Sequence, residues 1–391
     1  MKYLALLVVV LGLVASAACG SSELAASSAA DTSPSAADQA ESSGGSSETS
    51  VPLGSFTDAG RMTDARMDHV TTLLGNGNIL TVGGRGRGAT VRPPRLSRAE
   101  VYDPATGVWT AAGEMSAQRE LFCGVTLADG RGMIFGGADE RREALKSTEI
   151  FDPVTGEWTI GPKLKKGRWK HSCILLADGR VMIAAGNDIG AQEEVDLYDP
   201  ATGEIEATGD LAQARARFTL TKLSDGRILA AGGGKDEGPY IETVEIWDPA
   251  TGEWSAAAPM TEPRASHSAT LLGDGTVLVV GGRGRLLTAE IYDPEADIWT
   301  PIAGLKEGRT DHTASLLADG RVLVAGGVNS IAQSEIYDPA TGTWTGGPMM
   351  LRGRHQHTAT NMADGRVLFL GGQAQDGDER RLSNLPEIFA P

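Results

Sequence analysis

Short apolar runs separated by polar turns recur along the chain from about residue 54 to its end. In one copy, the apolar runs Ala314–Leu317 and Val322–Ala325 flank Asp319-Gly320. Asp-Gly or Asn-Gly between two apolar runs is typical of a β-hairpin with a tight type I′ turn, because glycine accepts a positive φ. The pattern occurs seven times, at Asn76-Gly77, Asp129-Gly130, Asp178-Gly179, Asp225-Gly226, Asp274-Gly275, Asp319-Gly320 and Asp364-Gly365. The sequence therefore predicts seven hairpins.

Two further strands follow each hairpin. The second strand ends in a glycine pair such as Gly326-Gly327, and after a variable loop a third strand such as Glu335–Tyr337 begins. The turn Asp338-Pro339 and a fourth strand around Trp344 complete the unit. Four short strands in a unit of about 45–50 residues are typical of one blade of a β-propeller. We therefore predict an all-β fold with seven four-stranded blades.

The two ends of the chain are expected to complete one blade together. The seventh copy stops at Glu387–Pro391, before any Trp strand, whereas Gly54–Met62 parallels Gly107–Met115, which contains the fourth strand of blade 1. We predict that the N-terminal segment supplies the fourth strand of blade 7. Without it, the first and last blades would have unpaired strand edges.

The glycine pair, the Tyr-Asp-Pro turn and the Trp at constant spacing resemble the kelch repeat. The repeats are most similar to bacterial members related to the central domain of galactose oxidase, and the resemblance extends over residues 54–391. It implies a seven-bladed kelch propeller. Kelch domains mostly bind other molecules, so the resemblance implies a binding function, with a sugar-processing oxidase as the alternative.

The first fifty residues differ in composition from the rest. Met1–Ala18 has one early positive charge, a short apolar run and then small residues, which is the arrangement of a signal peptide. Ser16-Ala17-Ala18-Cys19 resembles a lipobox, so we expect cleavage before Cys19 and acylation of that cysteine; release at an Ala-rich site is the alternative. Residues 19–50 have no aromatic side chain, which predicts a flexible, disordered linker before a propeller of residues 51–391.

The charge balance limits the partners. The chain has 35 basic and 51 acidic side chains; without Lys2 and the five acids before residue 50, the counts are 34 and 46, a net charge of about −12. This sign disfavours nucleic acid and an anionic membrane surface as partners. We expect a monomer, held in the cell envelope at the outer membrane by its N-terminal lipid only, that binds a protein, peptide or glycan.

An arginine and an acid recur in every blade. The arginine lies ten residues before the turn: Arg66, Arg119, Arg168, Arg215, Arg264, Arg309 and Arg354. The acid opens the third strand: Glu100, Glu149, Asp196, Glu245, Glu290, Glu335 and Glu387. The first and third strands begin at the same face, so the two can meet, and a guanidinium can bridge a carboxylate and backbone carbonyls. Two interpretations follow: structural ion pairs, or a ring of arginines at the channel mouth that binds an anionic ligand.

Histidine also recurs at one position of the repeat. Five of them share a column that Phe122 and Phe218 occupy in blades 2 and 4: His69, His171, His267, His312 and His357. A position that accepts Phe is typical of packing, so we assign these histidines a structural role. His355 with His357 is a weak candidate metal pair, and Asp376–Glu379 is a weak candidate calcium loop. We predict no metal and no other cofactor.

The loops after the glycine pairs vary in length and sequence, and we expect function there. Blade 1 inserts Arg85–Arg98, a basic segment on an acidic domain, and blade 4 inserts a loop with Tyr240. Besides the repeated arginines, the ligand-binding candidates are Arg85, Arg87, Arg92, Arg95 and Tyr240. A solvated loop is the alternative interpretation.

No catalytic residue is predicted. Arg119–Cys123 resembles the segment that carries the cysteine of the copper site in galactose oxidase, but Trp169-Lys170-His171 stands where the resemblance requires a partner tyrosine. We therefore expect a non-catalytic binding module; a galactose-oxidase-like or other sugar-processing enzyme and a structural envelope protein are the alternatives. Cys123 and Cys173 lie in neighbouring inner strands, and we expect two buried thiols rather than a disulfide.

Overall fold

The apolar runs form seven antiparallel sheets, each with the four strands expected of a blade. The computed structural model describes residues 54–87, 93–235, 238–376 and 379–391. The strands of blade 1 are Val70–Leu73, Ile79–Val82, Arg98–Asp103 and Val108–Glu114; those of blade 2 are Cys123–Thr126, Gly132–Phe135, Thr148–Phe151 and Trp158–Ile160; those of blade 3 are Ser172–Leu175, Val181–Asn187, Ala191–Asp199 and Glu204–Ala207. Within a blade, the strands pair in chain order from the inner first strand to the outer fourth.

The remaining blades repeat this arrangement. The strands of blade 4 are Thr219–Lys222, Ile228–Ala231, Val244–Asp248 and Glu253–Ala257; those of blade 5 are Ser268–Leu271, Val277–Val280, Ala289–Asp293 and Ile298–Ile302; those of blade 6 are Thr313–Leu316, Val322–Ala325, Gln333–Asp338 and Thr343–Met349; those of blade 7 are Arg354–Asn361, Val367–Asp376, Glu387–Ala390 and Ser55–Asp58. Two short ladders are added, Arg66–Met67 with Arg85–Gly86 and Glu379–Leu382 with the second strand of blade 7.

The hydrophobic core lies between the blades. The second strand Val277–Val280 is buried along its whole length. Its odd-numbered valines pack in one cluster with residues of blade 4, and its even-numbered residues pack in another with residues of blade 6. A strand buried on both faces needs apolar residues at every position, which explains why the second strands are continuous apolar runs.

The predicted closure of the ring is confirmed. Ser55–Asp58 pairs antiparallel with Glu387–Ala390, and Phe56 is directly opposite Phe389. The Phe56 ring also packs against Phe369, with a centroid distance of 5.4 Å. First strands of successive blades contact one another from blade 1 to blade 7 and back to blade 1. The propeller is therefore closed by pairing of the first and last strands.

The hairpin turns differ from the prediction. In blade 1, the Gly77 amide donates to the Leu74 carbonyl at 2.9 Å and the Leu74 amide donates to the Asn78 carbonyl at 2.8 Å. Gly77 has a φ of 86°, whereas Asn76 is not among the residues with positive φ. This is a three-residue loop, a type I turn followed by a left-handed glycine, and the predicted type I′ turn is wrong. The Asn76 side chain instead accepts the Asn78 amide at 3.0 Å.

The two cysteines form a disulfide, so the expectation of two thiols is wrong. Cys123 and Cys173 have a Cα–Cα distance of 5.9 Å and join the first strands of blades 2 and 3. These strands converge near the axis of the propeller, a proximity that spacing along the chain does not reveal. Disulfides are typical of proteins that fold outside the cytoplasm.

The chain divides by its contacts into Met1–Ser50 and Val51–Pro391. The predicted signal peptide, Cys19 and the linker lie outside the described residues, as does Arg92. Within the part that the structure describes, no helix is long and apolar enough to cross a membrane.

Candidate functional site

The seven repeated arginines are fully buried, at 0% exposure. Each pairs with the third-strand acid of its own blade; six of these distances lie between 2.6 and 3.0 Å, and Arg354 pairs with Glu387 in the seventh. In blade 6, Arg309 also donates to the carbonyls of Gly326 and Gln333, both at 2.7 Å. Of the two interpretations of the repeated arginines, structural ion pairs predict this arrangement. These side chains have no exposed surface at the channel mouth.

In blade 6, the acid and the glycine pair extend the ion pair to neighbouring segments. Glu335 accepts the Lys306 amide at 2.7 Å, which holds the segment entering blade 6. The Gly282 amide of blade 5 donates to the Arg309 carbonyl at 2.8 Å. A Cβ at Gly281 would lie 2.6 Å from the same carbonyl oxygen, so this position requires glycine. Arg309 and Glu335 therefore fix blade 6 and its contact with blade 5.

The column histidines are buried and lie between inner strands. Four of them share a hydrogen bond with a hydroxyl of the preceding blade: His69 with Thr358, His267 with Thr219, His312 with Ser268 and His357 with Thr313, at 2.9–3.2 Å. Burial lowers the pKa of His171, His267 and His312 to about 3, with nearby arginines acting in the same direction. These rings are therefore neutral at physiological pH, as a packing role requires.

The residue just before each column position forms a ring at the channel mouth. This mouth ring consists of Asp68, Leu121, Lys170, Arg217, Ser266, Asp311 and Gln356. All seven have a φ between 51° and 57°, although none is glycine. Left-handed backbone at a non-glycine residue costs about 1–2 kcal/mol and is concentrated at functional sites in proteins.

Backbone hydrogen bonds hold the mouth ring in this conformation. The Lys170 amide donates to the Leu121 carbonyl at 2.8 Å, the Arg217 amide to the Lys170 carbonyl at 3.2 Å and the Ser266 amide to the Arg217 carbonyl at 2.9 Å. Equivalent bonds run from the amide of Leu121 to the carbonyl of Asp68, from Asp311 to Ser266 and from Gln356 to Asp311. The backbone is thus repetitive while the side chains differ from blade to blade, which makes the ring a frame for non-repeating chemistry.

A cavity of about 310 Å³ opens among these side chains, and we call it the mouth cavity. Its basic lining residues are Arg85, Arg142, Lys170, Arg217 and Arg283, and its acidic ones are Asp68 and Glu120. Leu121, Ala138, Trp169 and Gln356 complete the lining. A second cavity of similar volume continues along the channel past the column histidines. A domain with a net negative charge therefore has a mouth cavity with three more basic than acidic side chains.

The two acids of the mouth cavity are paired with arginines of the blade 1 loop. Glu120 is 1% exposed and accepts Arg85 at 2.7 Å and Arg95 at 2.5 Å. Asp68 lies 3.5 Å from Arg85. Burial raises the pKa of Asp68 to about 6; Glu120 and Asp311 act in the same direction, and Arg85 and Arg217 oppose them.

The opposite side of the mouth cavity is basic. The Lys170 ammonium lies 4.3 Å from the centroid of the Trp169 ring. Arg217 donates to the Ser266 hydroxyl at 3.4 Å and lies 3.9 Å from Asp311. Arg283 follows a glycine pair, and its amide donates to the Ala265 carbonyl at 2.8 Å. Lys170, Arg217 and Arg283 belong to the consecutive blades 3, 4 and 5, and all three line the cavity.

The predicted ligand-binding residues of the loops occupy different environments in the structure. Arg85 lines the mouth cavity, Arg95 is buried against Glu120, and Arg87 is exposed on the loop. Tyr240 is half-buried, bridges to Gly234 and does not line the mouth cavity. The basic blade 1 loop is thus partly a structural element that fixes Glu120.

Most of the mouth cavity was missed by the sequence analysis. Trp169, Lys170, Arg217 and Arg283 belong to columns in which no residue type occurs in more than two blades. A search for residues that repeat in every blade does not identify such columns. A signal was present: the position between the invariant arginine and the His/Phe column differs in chemistry from blade to blade.

The segment that resembles the cysteine-bearing part of the galactose oxidase copper site is held by a disulfide. The Cys123 sulfur is bonded to Cys173, so it is not available for a thioether with tyrosine. Trp169 and Lys170 occupy the positions where the tyrosine would stand. No group of three His, Cys, Asp or Glu side chains suited to a metal ion occurs among the residues described. The candidate calcium loop at Asp376–Glu379 lies largely outside them.

Comparison with known proteins supports the kelch assignment. The model of the kelch motif matches residues 69–116, 122–165 and 223–261. No curated protein sequence matches the chain significantly. Among solved structures, a fungal alcohol oxidase described as a member of the AA5 family in complex with copper is similar, with a TM-score of 0.69 and 19% identity over 87% of this chain and 77% of the oxidase. This chain is a seven-bladed β-propeller with kelch motifs at residues 69–116, 122–165 and 223–261, and it shares the fold of that oxidase.

Proposed function

We propose that this protein is a non-catalytic binding module whose ligand enters the mouth cavity. The observation that carries the proposal is the mouth ring, in which one repeated backbone conformation presents five different side chains to one cavity: Asp68, Leu121, Lys170, Arg217 and Gln356. Pockets with a few convergent polar groups are the usual binding sites of folded domains. Loops beside the mouth, with Arg87 and Tyr240, are available to extend the contact with a protein, peptide or glycan.

The chemistry of the channel supports binding rather than catalysis. Burial lowers the pKa of the column histidines, four of the five share a hydrogen bond with a hydroxyl, and Cys123 is held in a disulfide. The fold itself carries no weight for either function, since propellers of one architecture have many functions.

We further propose that the protein works outside the cytoplasm, anchored by a lipid at Cys19. The disulfide between Cys123 and Cys173 supports an oxidising compartment. Metabolic labelling with an alkyne fatty acid tests the anchor. The wild-type chain should be labelled and Cys19→Ser should not; equal labelling of both would reject it.

The binding site is tested by filling the mouth cavity. Leu121→Trp places a bulky ring in the cavity at a backbone position that holds side chains without β-branching in all seven blades. Val154→Trp, at a site 91% exposed in a turn of the same blade, is the matched control. We expect the full-length wild type and Val154→Trp to bind the same members of a glycan and peptide array, and Leu121→Trp to lose them without a change in melting temperature. Equal binding by Leu121→Trp, or an array with no ligand at all, would reject the proposal.

Copper-dependent oxidation is the second candidate, because the structurally similar alcohol oxidase was solved with copper. The test is metal analysis of purified protein after incubation with copper, together with peroxide release from sugars and primary alcohols. The binding-module proposal predicts neither tight stoichiometric copper nor peroxide. Turnover that depends on bound copper would overturn it.

A further inference from the structure

We propose that the mouth cavity selects a small hydrophilic oxyanion about the size of one sugar ring, either a sugar acid or a sugar phosphate, held by Lys170, Arg217 and Arg283. The inference rests on the proposed function and specifies the ligand class of that site.

The charge of the mouth cavity favours an anionic ligand. Five basic and two acidic side chains line it, although the domain as a whole carries about −12. Both acids contact arginines: Glu120 lies between Arg85 and Arg95, and Asp68 lies beside Arg85. A concave site with low-dielectric walls concentrates the field of its own charges, so it attracts anions despite the negative net charge.

The positions of three basic side chains around the mouth also favour an anionic ligand. Lys170, Arg217 and Arg283 come from three consecutive blades, whereas Asp68, Glu120 and Asp311 come from blades 1, 2 and 6. These three cations therefore occupy one continuous arc of the mouth, while Arg85 and Arg142 line the cavity from blades 1 and 2. An oxyanion can accept hydrogen bonds from several guanidinium and ammonium groups together, and charge-assisted bonds of this kind are the strong ones.

The size and polarity of the mouth cavity narrow the class of ligand. A volume of about 310 Å³ is at the lower end of the range for small-molecule sites. Leu121, Ala138 and Trp169 are the apolar or aromatic lining residues, and the others are polar or charged. An aliphatic or aromatic acid would leave these polar groups without partners, whereas a polyhydroxylated acid can satisfy them.

Two donors in the lining lack partners. Neither Trp169 Nε1 nor Arg283 Nε has a hydrogen-bond acceptor within the described part of the protein. A ligand rich in hydrogen-bond acceptors would satisfy both donors. Sugar hydroxyls and an oxyanion both supply such acceptors.

The test is calorimetric titration of the full-length protein with glucuronate, glucose 6-phosphate and glucose at low ionic strength. We expect at least one of the two anions to bind at least tenfold more tightly than glucose, and the stronger one identifies the source of the oxyanion. Arg217→Gln and Arg283→Gln should each weaken that anion about tenfold, the usual effect of losing a charge-assisted hydrogen bond. The matched control is Arg131→Gln on the opposite, turn-bearing face, which removes the same charge and should change nothing.

Four results would overturn the inference. Glucose binding as tightly as both anions would show that charge is not selected, while the proposed function would survive if Leu121→Trp abolished that binding. An Arg131→Gln effect equal to that of both cavity variants would assign the attraction to net charge rather than to the cavity. Failure of both anions to bind at millimolar concentration, or tighter binding of an oligoglutamate peptide, would also reject a sugar-sized oxyanion.

Discussion

At the scale of single residues, Asp68 is the group in the mouth cavity whose charge is closest to changing near neutral pH. Burial is the main cause of its raised pKa of about 6, and Glu120 and Asp311 reinforce it against Arg85 and Arg217. The channel histidines do not titrate in the same range, because burial lowers the pKa of His171, His267 and His312 to about 3.

This difference predicts the pH dependence of anion binding. As the pH falls from 7.5 to 5, Asp68 takes up a proton and the cavity loses one negative charge, while a sugar acid, with a pKa of about 4 or lower, stays ionised. We expect glucuronate affinity to rise roughly three- to tenfold, since one nearby charge at a protein surface contributes about 1 kcal/mol. Asp68→Asn should bind as tightly at pH 7.5 as the wild type does at pH 5, with a flat profile. An unchanged slope in Asp68→Asn would assign the effect to another group.

Single residues also show where sequence reasoning works. The buried Arg column and the His/Phe column were recognisable because the same environment recurs seven times and selects the same side chain. The mouth ring was not, because its backbone environment recurs while its side chains do not. A left-handed φ is normally inferred from glycine, and none of these seven positions has one.

At the scale of the blade, the buried Arg–acid pair has the largest expected effect on stability. In blade 6, Arg309 and Glu335 link the start of the first strand, the third strand and the entering segment. Removing one partner leaves a buried charge without compensation, which costs about 3–5 kcal/mol.

We therefore expect Glu335→Gln to lower the free energy of unfolding by about 3 kcal/mol, measured by chemical denaturation. The matched control lies in the same blade: Asp319→Asn removes an exposed carboxylate that pairs with Arg321 at 2.7 Å, and blade 1 has Asn76 at this position. The control should lose less than about 1 kcal/mol. Equal losses in the two variants would contradict a structural role specific to the buried pair.

The disulfide acts between blades rather than within one. Because Cys123 and Cys173 lie on the first strands of blades 2 and 3, their bond limits the separation of these blades at the axis. We expect unreduced peptide mapping to recover the linked pair, and Cys123→Ala with Cys173→Ala to lower stability by about 2–4 kcal/mol. Two titratable thiols in the denatured, unreduced protein would show that the bond is not formed.

At the scale of the whole molecule, stability depends on joining the two ends of the described chain. Phe56 is 8% exposed and packs between Phe369 and Phe389. Phe56→Ala should cost about 3 kcal/mol and increase aggregation, because a weakened outer strand exposes the edge of Glu387–Ala390. Val108→Ala, at a site 51% exposed in the outer strand of blade 1, should change stability little. A Phe56→Ala protein as stable as wild type would contradict closure by this strand.

The fold could be predicted at this scale because seven copies of one unit reinforce each other and the missing strand of the last copy appears at the other end. The disulfide and the mouth cavity could not, since both depend on distances between neighbouring blades at the axis. Cys123 and Cys173 lie in different repeats, as do Lys170 and Arg217. The distance between two such residues in space does not follow from their spacing along the chain.

A crystal structure of the full-length protein soaked with the tighter-binding of the two anions, glucuronate or glucose 6-phosphate, shows directly whether the ligand binds at the channel mouth. We expect density in the mouth cavity with the carboxylate or phosphate group within hydrogen-bond distance of Arg217 and of Lys170 or Arg283. Density confined to other surfaces of the propeller, or an empty mouth at saturating concentrations of both anions, would contradict this site.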